Sequence, residues 1–310
     1  MENTRAKTTR NSLILLLTAT IWGMAFVSQS KGMDYMHPFT FNGVRSLIGA
    51  AGILIYILIS RKIAGDKAAK LDWKLNVKAG LLCGIFLTIA STLQQFGIKY
   101  TSVGKAGFIT TLYIIFFPMF CGFLKKKVAP VVWAAAGMAA VGMYLLCMTE
   151  SLRLGAGDIM VFLCAIAFAI QIMTVDHYAA RIDGAVVSCI QFTVCGVVCC
   201  IGALIWGQPT FGQIQEGLGA LLYAGVLSCG VGYTLQIVGQ KGLNPTVAAL
   251  IMSLESVIAT ISGWIAYKIG FLSTDQTLTP RQIAGCIIVF AAVILVQLPP
   301  EWFRFGKKNA

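Results

Sequence analysis

The sequence predicts an all-α polytopic membrane protein with ten transmembrane helices. They are expected as two inverted five-helix repeats, residues 1–150 and 151–310, within one integral membrane domain. Three observations carry this prediction. The chain is 57% hydrophobic and 12% charged, whereas soluble domains are about a quarter charged, so it has too little polar surface to face water. Its apolar residues gather into segments of about 20, the length a helix needs to cross a hydrocarbon core ~30 Å thick. A stretch of the first half also recurs in the second.

The segments run over 12–31, 38–60, 76–98, 101–123, 130–148, 156–177, 184–206, 218–240, 245–267 and 281–299. The first is long, has no A-x-A-type exit and is followed by further spans, so it reads as a retained helix and not as a cleaved signal. Short polar links separate the segments. Several hold helix breakers: Met36-His37-Pro38, Gly207-Gln208-Pro209, Asn244-Pro245 and Thr279-Pro280. The longest link, 61–75, is basic and too short to form a soluble domain. The repeat pairs 91–113 with 233–255 at a constant offset of 142, with eight identities in 23 ungapped positions. Its polar matches are the informative ones, Gln94 with Gln236 and Lys99 with Lys241. Five spans per half is an odd number, so the halves enter the membrane in opposite senses. That is the architecture of many secondary transporters, whose substrate sits near the midplane between the halves.

The charge is +12, but its distribution argues against nucleic acid. With the N-terminus cytoplasmic, alternation of the spans puts 17 Lys and Arg inside and 6 outside, with Arg45 within a span. This is the positive-inside bias. It predicts cytoplasmic N- and C-termini in a cell membrane, with the lipid bilayer as the partner of the basic loops. All ten cysteines fall in predicted spans, without a C-x-x-C pair or a nearby His, and read as small buried hydrophobes. His37 and His177 lie at span ends, where interfacial solvation accounts for them.

An ionisable group at mid-helix in a membrane costs about 2.5–3.5 kcal/mol on insertion scales, so it faces a partner or a water-filled cavity. Glu255, near the middle of the ninth span, is the strongest case, because its stretch AALIMSLESVIATISGW holds no other charge. It reads as an acid that contacts substrate or proton, or else as a structural acid. Arg45 either binds an anionic group or holds helices together through backbone carbonyls. Lys105 is shallower and is expected to snorkel to the outer interface. Gln94, Gln95, Gln171 and Gln236 are candidate substrate-binding amides, and Trp22 and Tyr113 are candidate stacking rings. Polar stripes such as Ser228, Gly232, Gln236 and Gln240 line a cavity or bond helix to helix.

The run Gly155-Ala156-Gly157-Asp158 matches the G-x-G-D pattern of intramembrane aspartyl proteases, which need a second carboxylate to share a proton. No other Asp lies deep in a span, and Asp158 stands where an N-cap is expected. There is also no H-E-x-x-H, G-x-S-x-G or Walker pattern. The sequence therefore predicts no catalytic residue, no metal and no cofactor.

Several short motifs occur in a recognisable order: Ala19-Thr20-Ile21-Trp22-Gly23-Met24-Ala25-Phe26, Arg45 with small residues after it, Thr101-Ser102-Val103-Gly104-Lys105-Ala106, Thr111-Leu112-Tyr113, Gly157-Asp158 and Ser253-Leu254-Glu255. In order and spacing the chain resembles the EamA-type branch of the drug/metabolite transporter superfamily along nearly its whole length. The resemblance implies ten helices, cytoplasmic termini and a central cavity lined by spans 1, 3, 4, 6, 8 and 9. Where the family often carries Pro after the Tyr and Glu, this chain has Ile114 and Ser256, so proline dictates no break at either point.

The expected function is secondary transport, as an exporter, of small polar or amphipathic metabolites by alternating access. Amino acids are the cargo the resemblance most often implies. The alternatives are a nucleotide, nucleobase or vitamin carrier and, from another class, a membrane-embedded enzyme or ligand sensor.

Overall fold

A computed structural model describes residues 2–65, 71–123, 130–147, 155–178, 181–240 and 245–297. Every element among them is helical. In chain order these are α1 (Glu2–Gly32), α2 (Pro38–Ala64), α3 (Trp73–Ile98), α4 (Val103–Thr111), α5 (Tyr113–Phe123), α6 (Pro130–Cys147), α7 (Ala156–Tyr178) and α8 (Gly184–Gly202). A π-helical stretch, Ala203–Gly207, extends α8. Then come α9 (Phe211–Glu216), α10 (Leu218–Leu222), a second π-helical stretch (Tyr223–Gly232), α11 (Tyr233–Gln240), α12 (Pro245–Lys268) and α13 (Pro280–Gln297). The basic residues Lys67, Lys70, Lys125, Lys126, Lys127, Lys241 and Lys308 and the linker residue Asn244 lie outside the described residues.

The links work as stops and starts for local reasons. His37 caps α2, its Nδ1 accepting from Phe39 N at 3.4 Å, with Pro38 in the first turn where its missing N–H is harmless. Partial burial and the nearby Lys99 ammonium hold the His37 imidazole below its ordinary pKa, which suits an acceptor nitrogen. It caps the helix beside the rings of Phe39 and Phe96 and stays partly exposed. Asp72 caps α3, Ser102 caps α4 and Asp183 caps α8 through side-chain oxygens. Thr279 and Gln282 bond reciprocally at the start of α13, a capping box.

Six helical stretches among the described residues are long and apolar enough to cross a membrane: Thr9–Gly32, Pro38–Ala64, Trp73–Ile98, Ala156–Val175, Gly184–Gly207 and Leu218–Gln236. Val103–Phe116, Trp133–Leu146 and Pro280–Leu295 are shorter apolar helices. The outside of the bundle is apolar as well; α2, for example, leaves Leu54, Ile55, Leu58 and Ile59 exposed. Such a surface suits lipid. The chain is a multi-pass helical membrane protein.

Two predicted spans are not single regular helices. The fourth is irregular at Leu112, between α4 and α5, where Leu112 N bonds Ile109 O in a tighter turn while its backbone stays right-handed helical, without a proline at 114. Thr111 Oγ1 bonds back to Gly107 O at 2.9 Å, a contact that bends helices. The eighth passes through the π-helical stretch Tyr223–Gly232, which changes the phase of the side chains after it. In contrast α12 runs unbroken through Ser256, whose hydroxyl bonds to Ser253 O at 2.8 Å.

Packing pairs α1 with α12, α2 with α8, α3 with α7 and α8, α4 with α12, and α6 with α13. Small residues set the closest approaches. A Cβ on Gly142 would lie 2.9 Å from Gly285 O, and one on Gly285 would lie 2.7 Å from Gly142 O. At Gly23 a Cβ would meet Ile258 Cβ at 2.7 Å and Glu255 O at 2.8 Å. Gly23→Ala must therefore push α1 from α12 at the level of Glu255. Overpacking of this kind costs ~1–3 kcal/mol, so a lower unfolding temperature in detergent is expected. An unchanged temperature would mean that the two helices can separate there freely.

Candidate functional site

The residues singled out by the sequence divide into two sets. Glu255, Tyr113, Trp22, Gln236 and Gln94 belong to one connected region along α1, α3, α11, α12 and the junction of α4 and α5. Glu255 is 4% exposed, and the Tyr113 hydroxyl donates to its Oε1 at 3.4 Å. Tyr113 is the first residue of α5. Trp22 donates from Nε1 to Ser228 O at 3.3 Å, and its ring lies 4.9 Å from that of Tyr233. Gly232 makes room for it, because a Cβ there would sit 2.6 Å from Trp22 Nε1. Trp22 also packs against Leu15 and Met252, and Met252 is one turn before Glu255. Gln236 Nε2 reaches Met252 Sδ at 3.8 Å, and Gln94 Nε2 donates to Thr110 Oγ1 at 3.3 Å, one turn before Tyr113.

The other amides bond helix to helix. Gln95 Nε2 donates to Gln29 O at 3.1 Å, and Gln171 Nε2 donates to Gln191 Oε1 at 3.1 Å. On α3, Thr88 bonds its own helix at Gly84 O and Ser91 meets Asn42. Ser91 and Gln95 thus bond α3 to α2 and α1, whereas Thr88 bonds within α3.

Arg45 is 5% exposed. Its Nε donates to Asn42 Oδ1 at 2.9 Å, and its guanidinium lies over the Phe41 ring, 5.6 Å from the centroid. Asn42, fully buried, is itself held by Ser91 Oγ at 3.0 Å and Cys199 Sγ at 3.4 Å. Among the described residues no carboxylate lies within 4 Å of Arg45, and no cation lies within 4 Å of Glu255. The structure does pair buried charges elsewhere. Lys105 Nζ meets Asp158 Oδ2 at 3.0 Å, and Asp158 Oδ1 accepts from Thr101 Oγ1 at 2.5 Å. Lys105 therefore turns into the protein instead of snorkelling outward. Asp158 is the third residue of α7 and an ion-pair partner, not its N-cap.

Sequence reasoning missed Tyr233 and Asn42. Tyr233 stands between Trp22 and Phe192, with its ring 4.8 Å from Phe192. A period of 3.6 residues runs past it, because the π-helical stretch before it shifts the phase. Asn42 would have been findable as the one amide a turn before an intramembrane arginine.

Two of the contacts repeat at the sequence offset of 142. Gln94 with Thr110 and Gln236 with Met252 are the same pair of positions in the two halves. Tyr113 and Glu255 are also 142 apart, and they bond to each other.

The sequence profile of the EamA-like transporter family matches residues 10–148 and again 155–298. An uncharacterized transporter of Archaeoglobus fulgidus is 28% identical over 290 residues, 92% of this chain and 84% of that protein. The uncharacterized transporter YwfM of Bacillus subtilis is 24% identical over 295 residues, covering 94% of each chain. One solved crystal structure superimposes with a TM-score of 0.62 at 17% identity, over 93% of this chain and 96% of the other. That last likeness concerns the fold alone.

Proposed function

The chain belongs to the EamA-like transporter family, and from that premise we propose that it is a secondary transporter, an exporter of small polar or amphipathic metabolites such as amino acids. It works by alternating access between two inverted five-helix halves, residues 1–150 and 151–310, ten spans in all, and it carries out no chemistry on its cargo. The observation that carries this reading is the bond between Tyr113 and Glu255. Equivalent positions of two repeats meet each other where a two-fold axis passes between the repeats, and a substrate site is expected on that axis. The matched pairs Gln94–Thr110 and Gln236–Met252 support it, as do the two successive family matches. The helix pairing supports it too. Exchanging the first five spans with the last five carries the α1–α12 contact onto that of α7 with α4 and α5.

Flux of radiolabelled metabolites into proteoliposomes tests the reading. Faster movement than into empty liposomes is expected for at least one small polar metabolite. No such movement for any compound, or chemical change of the compound, would defeat it.

In this proposal the protein sits in the cell membrane with both termini cytoplasmic, on the strength of the 17 to 6 asymmetry of basic residues. Single cysteines placed in 61–75 on a cysteine-free background are expected to escape a membrane-impermeant thiol reagent in intact cells. Those placed in 207–216 are expected to react. The opposite pattern would reverse the orientation.

Gln94→Ala and Gln236→Ala are expected to weaken substrate binding about equally, several-fold each, with little change in detergent stability. If both bind normally and only unfold sooner, the amides serve to hold helices together.

A further inference from the structure

A carrier that works by alternating access closes each face of the membrane in turn, and two inverted repeats do this by exchanging conformations. Contacts that shut one face then have counterparts that shut the other, unless the repeats differ in sequence. At the start of α4 they do differ.

This is the end of α4 that the asymmetry of basic residues puts outside in the proposed orientation. Three residues there, at alternate positions, are held by side chains from the second half of the chain. Thr101 Oγ1 donates to Asp158 Oδ1 at 2.5 Å, and Lys105 Nζ pairs with Asp158 Oδ2 at 3.0 Å. Between them the Val103 amide donates to Gln276 Oε1 at 2.8 Å. It is one of the first-turn N–H groups that a helix leaves without an acceptor of its own. Gln276 is 4% exposed, in the link between α12 and α13, and its Nε2 donates to Thr274 O at 3.2 Å. The same link buries Leu272 in the apolar cluster that holds Val103, and it sets the Phe271 ring 5.6 Å from Lys31 Nζ at the end of α1. The start of α4 is thus fastened to α7 and to a link that also reaches α1.

The repeat offset of 142 puts Leu243, Pro245 and Val247 opposite Thr101, Val103 and Lys105. A leucine side chain has no hydroxyl, proline has no N–H and valine has no charge. The second repeat therefore cannot rebuild any of the three contacts at the opposite face. Their polar character suits contacts that part reversibly, because water takes up the released groups.

We infer that Asp158 and Gln276 form a one-sided latch on α4, which keeps the outer face closed at rest and leaves the site at Glu255 open toward the cytoplasm. The inference rests on the transport reading and adds to it the face from which the resting carrier loads its cargo.

The test places Thr110→Cys, on α4 between Lys105 and Tyr113, in the full-length protein on a cysteine-free background. A membrane-impermeant thiol reagent is applied to intact cells for the outer face and to inverted vesicles for the inner one. The parent is expected to react faster from inside. Gln276→Ala is expected to raise the outer rate roughly fivefold, the equivalent of one hydrogen bond of ~1 kcal/mol, and to lower the inner rate. Asp158→Asn is expected to act in the same direction. Lys105→Asp combined with Asp158→Lys, which restores the pair in reverse, brings the outer rate back toward that of the parent. If the Asp158 variants do not fold, Gln276→Ala decides alone. An unchanged outer rate overturns the latch. So does a rise at both faces, which is mere loosening, or a parent that reacts faster from outside. Flux into proteoliposomes keeps the two claims apart. The expected shift in a protein that moves no metabolite defeats the transport reading and leaves the latch standing. Flux of a metabolite without the shift does the reverse.

Discussion

Glu255→Gln is expected to lower the initial rate of substrate transport into proteoliposomes at least tenfold, while the variant unfolds no earlier in detergent than the wild type. The carboxylate is 4% exposed in an apolar stretch, and its one protein donor is the Tyr113 hydroxyl at 3.4 Å. Gln is nearly the same shape and still accepts from Tyr113. It carries no charge, so burying it costs less, and the fold loses nothing. The variant does lose a charge-assisted hydrogen bond to a cationic substrate group, about 1.5–3 kcal/mol. Since ~1.4 kcal/mol is a factor of ten, the loss corresponds to roughly ten- to a hundredfold. If Glu255 instead exchanges protons with the bulk, the variant keeps substrate exchange and fails to accumulate substrate when a pH difference is imposed. Wild-type rates and accumulation at every pH would make Glu255 a structural acid.

Asp158→Ala is expected to destabilise the protein by about 3 kcal/mol, the lower end of what removing one partner of a buried pair costs. Asp158 is 3% exposed and accepts from both Lys105 Nζ and Thr101 Oγ1, so its loss strands an ammonium and a hydroxyl between α4 and α7. The double change Lys105→Met with Asp158→Leu should recover most of the loss, because it leaves no charge behind. Thermal unfolding followed by size-exclusion chromatography in detergent would measure both. A single variant as stable as wild type, or a double variant worse than the single, would mean that the pair adds nothing at this contact.

Much of the candidate site could be read in advance because the relevant signals are local. Glu255 declared itself through a single charge in an apolar run, Gln94 through its match with Gln236 at an offset of 142, and Tyr113 as a candidate stacking ring. The readings of Lys105 and Asp158 went astray because their contact is 53 residues long in sequence and depends on where α7 sits against α4. Gln95 and Gln171 looked the same as Gln94 and Gln236 in sequence, yet Gln95 leaves α3 in a different direction from its neighbour Gln94 and meets Gln29 O, while Gln171 meets Gln191. Tyr233 escaped because ten residues of π-helix precede it, and a 3.6-residue period no longer tracks its face.

The sequence by itself determined the solvent, the helical class and the family. A chain this apolar must meet lipid, and in lipid each backbone polar group must be bonded within its own helix. Tertiary structure alone decided which buried charges meet. Lys105 reaches Asp158 at 3.0 Å, while Arg45 is tied to Asn42 and Glu255 to Tyr113. Hydrophobic patterning fixes only which face of a helix turns inward. Whether two inward charges touch depends on the approach and phase of helices far apart in the chain, set here by close contacts such as Gly23 on Glu255 O and by the π-helical shift before Tyr233.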